Sequence, residues 1–135
     1  AHRLVIEITE SGLMEHGESA MNFLQNLHDM GVSLAIDDFG TGNSSLAYLR
    51  RFNVDQIKID QRFVGDMIND ERSQSIVAFI IRLAHELGYE TLAEGVEVES
   101  QRVLLSHLGC TLLQGFLFSK PVPLAECEAY IRQHP

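Results

Sequence analysis

Five short apolar runs, each closing on a polar side chain, constrain this chain more than any other feature. Leu4-Val5-Ile6 leads to Glu7, and Leu34-Ala35-Ile36 to Asp37 and Asp38. Val54-Asp55-Gln56-Ile57 leads to Lys58, Thr91-Leu92-Ala93 to Glu94, and Thr111-Leu112-Leu113 to Gln114. Helix-like segments lie between the runs, and three of them stop at a glycine: Gly31, Gly88 and Gly109. Strands alternating with helices build a parallel sheet. Ligands meet such sheets at the carboxyl ends of the strands. Four carboxylates, one lysine and one amide are thereby brought to one face.

The spacing predicts strands over 3–8, 33–37, 55–60, 90–94 and 111–117. It predicts helices over 18–30, from Ser44-Ser45 to about 51, and over 71–87, 98–108 and 124–133. In the first helix Ala20, Phe23, Leu24 and Leu27 share a face. In the third, Ile76, Ile80, Leu83 and Leu87 form a stripe, and in the fourth Leu104, Leu105 and Leu108 turn inward. The strands read as buried on both faces, as parallel strands usually are. Polar groups at all five strand ends favour part of an eight-stranded barrel over an open sheet, which concentrates ligand contacts at one switch point.

At 135 residues, with no linker or low-complexity stretch, the chain reads as a single domain with a core. Its net charge of −9 argues against duplex nucleic acid or an anionic membrane as partner. A small phosphorylated ligand stays open, because bound cations reverse the local field. No run approaches the roughly 20 apolar residues of a membrane span. The expected setting is the cytoplasm, with a membrane-anchored parent protein allowed. Cys110 and Cys127 are too few for a disulfide framework and read as reduced, buried thiols. His2, His16, His28, His85, His107 and His134 show no metal-ligand spacing.

Glu7, Asp37, Asp38 and Glu94 are the candidate metal ligands. A single acid at a strand end is often only a cap, but adjacent acids repel unless a cation or base lies between them. Oxygen donors without histidine suit Mg²⁺ or Mn²⁺ better than zinc, and a bridging carboxylate would give a two-metal site. Lys58, between Ile57 and Ile59, needs an anionic partner, either Asp60 or a neighbouring acid. Strand alternation puts Gln56, Lys58 and Asp60 on one side, where Lys58 could steady charge developing on a phosphate. Phe39-Gly40-Thr41-Gly42 lacks the lysine and spacing of a P-loop and reads as a mobile loop over the site. Glu10 and Glu97 are either solvated loop acids or anchors for that loop.

Together these segments resemble the EAL domain family of bacterial cyclic di-GMP phosphodiesterases. The matching stretches are Glu7-Ile8-Thr9-Glu10, Asp37-Asp38-Phe39-Gly40-Thr41-Gly42, Lys58-Ile59-Asp60, Glu94-Gly95-Val96-Glu97 and Gln114-Gly115-Phe116-Leu117-Phe118-Ser119-Lys120-Pro121. The resemblance implies an α/β fold, a TIM-type (β/α) barrel of which this chain holds about five of eight units. It implies two Mg²⁺ or Mn²⁺ ions on Glu7, Asp37, Asp38 and Glu94, and catalytic roles for Lys58, Asp38 and Glu94. Gln114, Asp60 and Gly95 would line the substrate pocket, while Glu10 and Glu97 anchor loops. The implied reaction opens cyclic di-GMP to linear pGpG.

Residues 1–135 are thus expected to be the carboxyl-terminal part of one EAL domain, because the strand with the Glu-x-Leu signature and the following strand with an asparagine ligand, which in the family precede the matching segments, do not occur in them. Asn43 stands where the family usually has tyrosine, and Arg62 where a small residue is common. Two apolar strand edges would be open. The chain by itself is expected to dimerise or aggregate through those edges and the loop after Asp38, and to be inactive. The rival reading is a non-catalytic cyclic di-GMP receptor or protein-interaction module. Both aspartates together with Lys58 favour the enzyme.

Overall fold

The computed structural model describes residues 4–41, 49, 51 and 53–134. The expected short helix over 44–51 lies outside these residues apart from Leu49, which is helical and buried, and Arg51. His2, Arg3 and Asn43 lie outside them as well.

Five strands form one parallel sheet in sequence order: β1 (Val5–Thr9), β2 (Ser33–Phe39), β3 (Gln56–Ile59), β4 (Glu90–Ala93) and β5 (Leu112–Leu113). The helices are α1 (Glu10–Asp29), α2 (Gln61–Asp66), α3 (Glu71–Leu87), α4 (Glu99–Leu108) and α5 (Leu124–Gln133). α1 packs on β1 and β2, and α3 on β3 and β4. Leu34, Ile36, Ile57, Ile59 and Ala93 form the sheet side of the core, against Val77, Ile80, Ala84 and Leu105. In register, Glu7 stands beside Ala35 and Lys58 beside Leu92, so these residues occupy the opposite face. No helix among the described residues is long and apolar enough to cross a membrane.

Gly31, Gly88 and Gly109 all adopt positive φ (78°, 76° and 89°), which lets each helix end in a left-handed turn. α3 and α5 coincide with the expected spans. α1 begins eight residues earlier than expected, at Glu10, where the Thr9 hydroxyl accepts from Gly12 N and caps the helix. Two inward faces are rotated from expectation. Phe23 is 61% exposed while Leu13 and Leu24 are buried, and Ile76 is 37% exposed while Val77, Ile81 and Ala84 face the core. Burial of both strand faces holds for the centre of the sheet, not for β1, whose residues alternate between exposed and half-buried. β5 is far shorter than 111–117, because at Gly115 the chain turns and Phe118 N donates to the Gly115 carbonyl. Phe39 belongs to β2 and is buried, not part of a loop. Both cysteines are free and half-buried.

β2 carries one extra residue relative to β3: Ile36 pairs with Ile57, but Phe39 pairs with Ile59. This is a β-bulge. Strict alternation would send Asp38 into the core behind Ile36. The bulge gives that position to Phe39, and Asp38 takes a left-handed conformation with φ 56°.

Candidate active site

β3 delivers Lys58 to the centre of the sheet, and its neighbours surround it with acid. Nζ lies 2.7 Å from Glu7 Oε2, 2.9 Å from Glu94 Oε1 and 3.3 Å from Asp37 Oδ1. These acids come from three different strands or strand ends, β1, β4 and β2. The Lys58 side chain is only 6% exposed. Burial by itself would lower its pKa, but hydrogen bonds to Glu7 and Glu94 and the charges of Glu94 and Asp37 outweigh that, and the pKa is raised. Lys58 is therefore an ammonium at neutral pH. Among these acids it is a fixed positive charge. Three carboxylates around one ammonium leave the cluster with an excess of negative charge.

Asp38 stands apart from this cluster. Its backbone N–H donates to Asp37 Oδ1 at 2.9 Å, while its carboxyl shares a hydrogen bond with Asp60. Burial first, then the charge of Asp37 and the bond to Asp60, raise the Asp38 pKa. Asp60 does not lie beside Lys58 as alternation suggested, because β3 ends at Ile59 and Asp60 caps α2. Its carboxylate accepts from Arg62 N at 2.7 Å, from Arg62 Nε at 2.9 Å and from Arg62 Nη2 at 3.2 Å. The Arg62 hydrogen bonds are the main reason its pKa is lowered.

Glu10 is buried, and its Oε2 accepts from Gly40 N at 3.0 Å. It thus ties the start of α1 to the turn after β2. Glu97 is not on that turn. With Gln61, Glu94, Gly95, Gln114, Gly115 and Phe116 it lines a cleft of about 380 Å³ beside the lysine cluster. Two glycines make the cleft possible. A Cβ at Gly95 would stand 2.6 Å from Gln61 Cβ, and one at Gly115 only 2.1 Å from the Val96 carbonyl oxygen. A neighbouring hollow of about 410 Å³, lined by Phe116, Lys120, Val122 and Tyr130 among others, shares Gln114 but none of the acids. The cleft next to Glu94 is the one that adjoins the reactive groups.

Among the described residues, no three His, Cys, Asp or Glu side chains converge where a metal ion could be held as they stand. The acids are aimed at Lys58 Nζ instead. Their chemistry nonetheless suits a hard divalent cation, since all are oxygen donors and their charge exceeds that of the lysine. Sequence reading brought Glu7, Asp37, Glu94 and Lys58 together and placed Gln114 nearby. It gave Gln61 no role, although its place directly after Lys58-Ile59-Asp60 put it at a strand end.

The family model for the EAL domain matches residues 1–121. The chain is 44% identical over 131 residues to the cyclic di-GMP phosphodiesterase NbdA of Pseudomonas aeruginosa, covering 97% of this chain and 17% of that protein. Among solved structures, the EAL domain of Mycobacterium smegmatis DcpA superposes with a TM-score of 0.92 at 39% identity, covering 98% of this chain and 59% of that one. Klebsiella pneumoniae BlrP1, solved with cyclic di-GMP and either calcium or manganese, superposes at 0.80 with 41% identity, over 87% of this chain and 30% of that one. The chain thus spans less than two thirds of the length of each of these relatives, and only 17% of NbdA.

Proposed function

The chain belongs to the EAL domain family, and from that premise we propose that it is the carboxyl-terminal part of one EAL domain that hydrolyses cyclic di-GMP to linear pGpG. One observation carries the reading: a buried lysine held by carboxylates from three strand ends, at the end of a parallel sheet where substrates bind. The names of relatives such as NbdA, and the cyclic di-GMP in BlrP1, support the choice of substrate.

Mg²⁺ or Mn²⁺, two ions in the complete domain, would be held by Glu7, Asp37, Glu94 and Asp38. When bound, such ions supply Lewis acidity and make water a better nucleophile. Asp38 joins the set once it gives up its hydrogen bond to Asp60. Lys58 does the rest electrostatically. Its ammonium already holds the acids in place without a cation, and it faces the negative charge that grows on the attacked phosphate. Gln114 and Gly95 shape the cleft beside Glu94 for the rest of the dinucleotide.

The test uses the full-length protein that carries this segment. Asp37→Asn or Asp38→Asn removes one ligand charge and should lower turnover of cyclic di-GMP by roughly a hundredfold or more, the scale of losing one strong electrostatic group. Products are separated chromatographically in Mg²⁺ and in Mn²⁺. Near-normal rates in both variants would overturn the assignment.

A further inference from the structure

Gln61 takes no part in the chemistry above, yet it stands at the cleft beside Glu94. It is fixed in place from both sides. Asp60 caps α2, and Arg62 binds that carboxylate through its backbone N–H and its guanidinium. The Gln61 side chain runs over Gly95, with Oε1 3.6 Å from the point a Gly95 Cβ would occupy. Its amide has no hydrogen-bond partner among the described residues, and neither does that of Gln114. These two amides, the Glu97 carboxylate and the Phe116 ring line one space.

That set of groups discriminates between purines. An amide donates and accepts, whereas a carboxylate only accepts. Guanine offers two neighbouring donors, N1–H and the 2-amino group, next to the acceptor O6. Adenine has an unprotonated N1 at that edge, which a carboxylate repels. We propose that Gln61 is a specificity-determining residue: its amide donates to O6 of the guanine adjoining Lys58 and Glu94, while Glu97 accepts from the same base. The inference rests on the cyclic di-GMP reading and names the part of the substrate that the cleft holds.

The experiment measures binding of cyclic di-GMP and of cyclic di-AMP by calorimetry in Ca²⁺, using the full-length protein. Gln61→Ala should raise the Kd for cyclic di-GMP about tenfold, the scale of one hydrogen bond to a ligand. The Kd for cyclic di-AMP should change little, so the preference between the two falls. Gln61→Glu keeps the shape, loses the N–H₂ donor, and should act in the same direction. An unchanged preference in both variants would overturn the inference while leaving the phosphodiesterase reading intact. Failure of the unsubstituted protein to bind or hydrolyse cyclic di-GMP would overturn that reading, and the inference with it.

Discussion

Replacing Lys58 with methionine keeps the length of the side chain and removes its charge, and the geometry around it sets what should follow. Removing one partner of a fully buried ion pair costs roughly 3–5 kcal/mol, because the remaining charge is left unpaired. The lysine is buried but its acids are not fully so: the side chains of Glu7, Asp37 and Glu94 are 49%, 25% and 24% exposed. Water therefore takes up part of the loss, and exposed pairs contribute about 1 kcal/mol or less. Between these limits, a loss of roughly 2 kcal/mol is expected in the absence of divalent cations. Mn²⁺ should restore part of it, since a cation that binds only the folded protein stabilises it by mass action. Turnover should fall by roughly a hundredfold, while the Kd for cyclic di-GMP holds, because the charge matters most as the phosphate is attacked. Urea unfolding with and without Mn²⁺ reads the first effect. Single-turnover hydrolysis beside calorimetry in Ca²⁺ reads the second. An unchanged urea midpoint would show that the acids do not depend on Lys58. Parallel losses of affinity and turnover would reduce it to a structural ion pair.

Two glycines predict opposite outcomes for one substitution. Gly115→Ala drives a methyl into the Val96 backbone at 2.1 Å and should cost about 1–3 kcal/mol by thermal unfolding. Gly65→Ala, inside α2 with nothing within 4 Å, should be stabilising by about 0.4–1 kcal/mol. Asp70 gives a pH prediction. Hydrogen bonds from the Ser73 hydroxyl and backbone hold its carboxyl below the ordinary 3.8. Its stabilisation of the α3 start is therefore present above pH 3.8 and lost as pH falls through the lower folded value. Asp70→Ala should melt earlier than the unsubstituted protein at pH 6, and the gap should close in acid; a gap independent of pH would refute the cap assignment.

The sheet was legible because its central strands are buried parallel strands, which leave short apolar runs with abrupt polar ends. The helix stops were legible because a left-handed turn selects glycine at 31, 88 and 109. The start of α1 was not, because Gly12 and Gly17 dilute the helical pattern and the cap lies in a strand residue, Thr9. α2 was missed because six residues carry too little periodicity. In the site, the polar ends of the apolar runs were enough to bring Glu7, Asp37 and Lys58 together. Period-two alternation failed at Asp60, where β3 stops and a helix cap begins, and grouping by strand ends did not foresee the bulge that sets Asp38 apart. The bulge depends on pairing with β3, and no local feature of Ile36–Phe39 announces it.

The positive φ of Asp38 bears on how the adjacent aspartates are compared by mutation. Aspartate and asparagine tolerate that backbone conformation; residues with bulkier or unsubstituted hydrocarbon side chains do so at a cost. An alanine scan would therefore charge Asp38 with a conformational penalty that Asp37 does not incur, and would overstate its share of the chemistry. Asparagine at both positions places the two on one scale, because each loses its charge and exchanges one acceptor oxygen for an N–H₂ group while keeping its size.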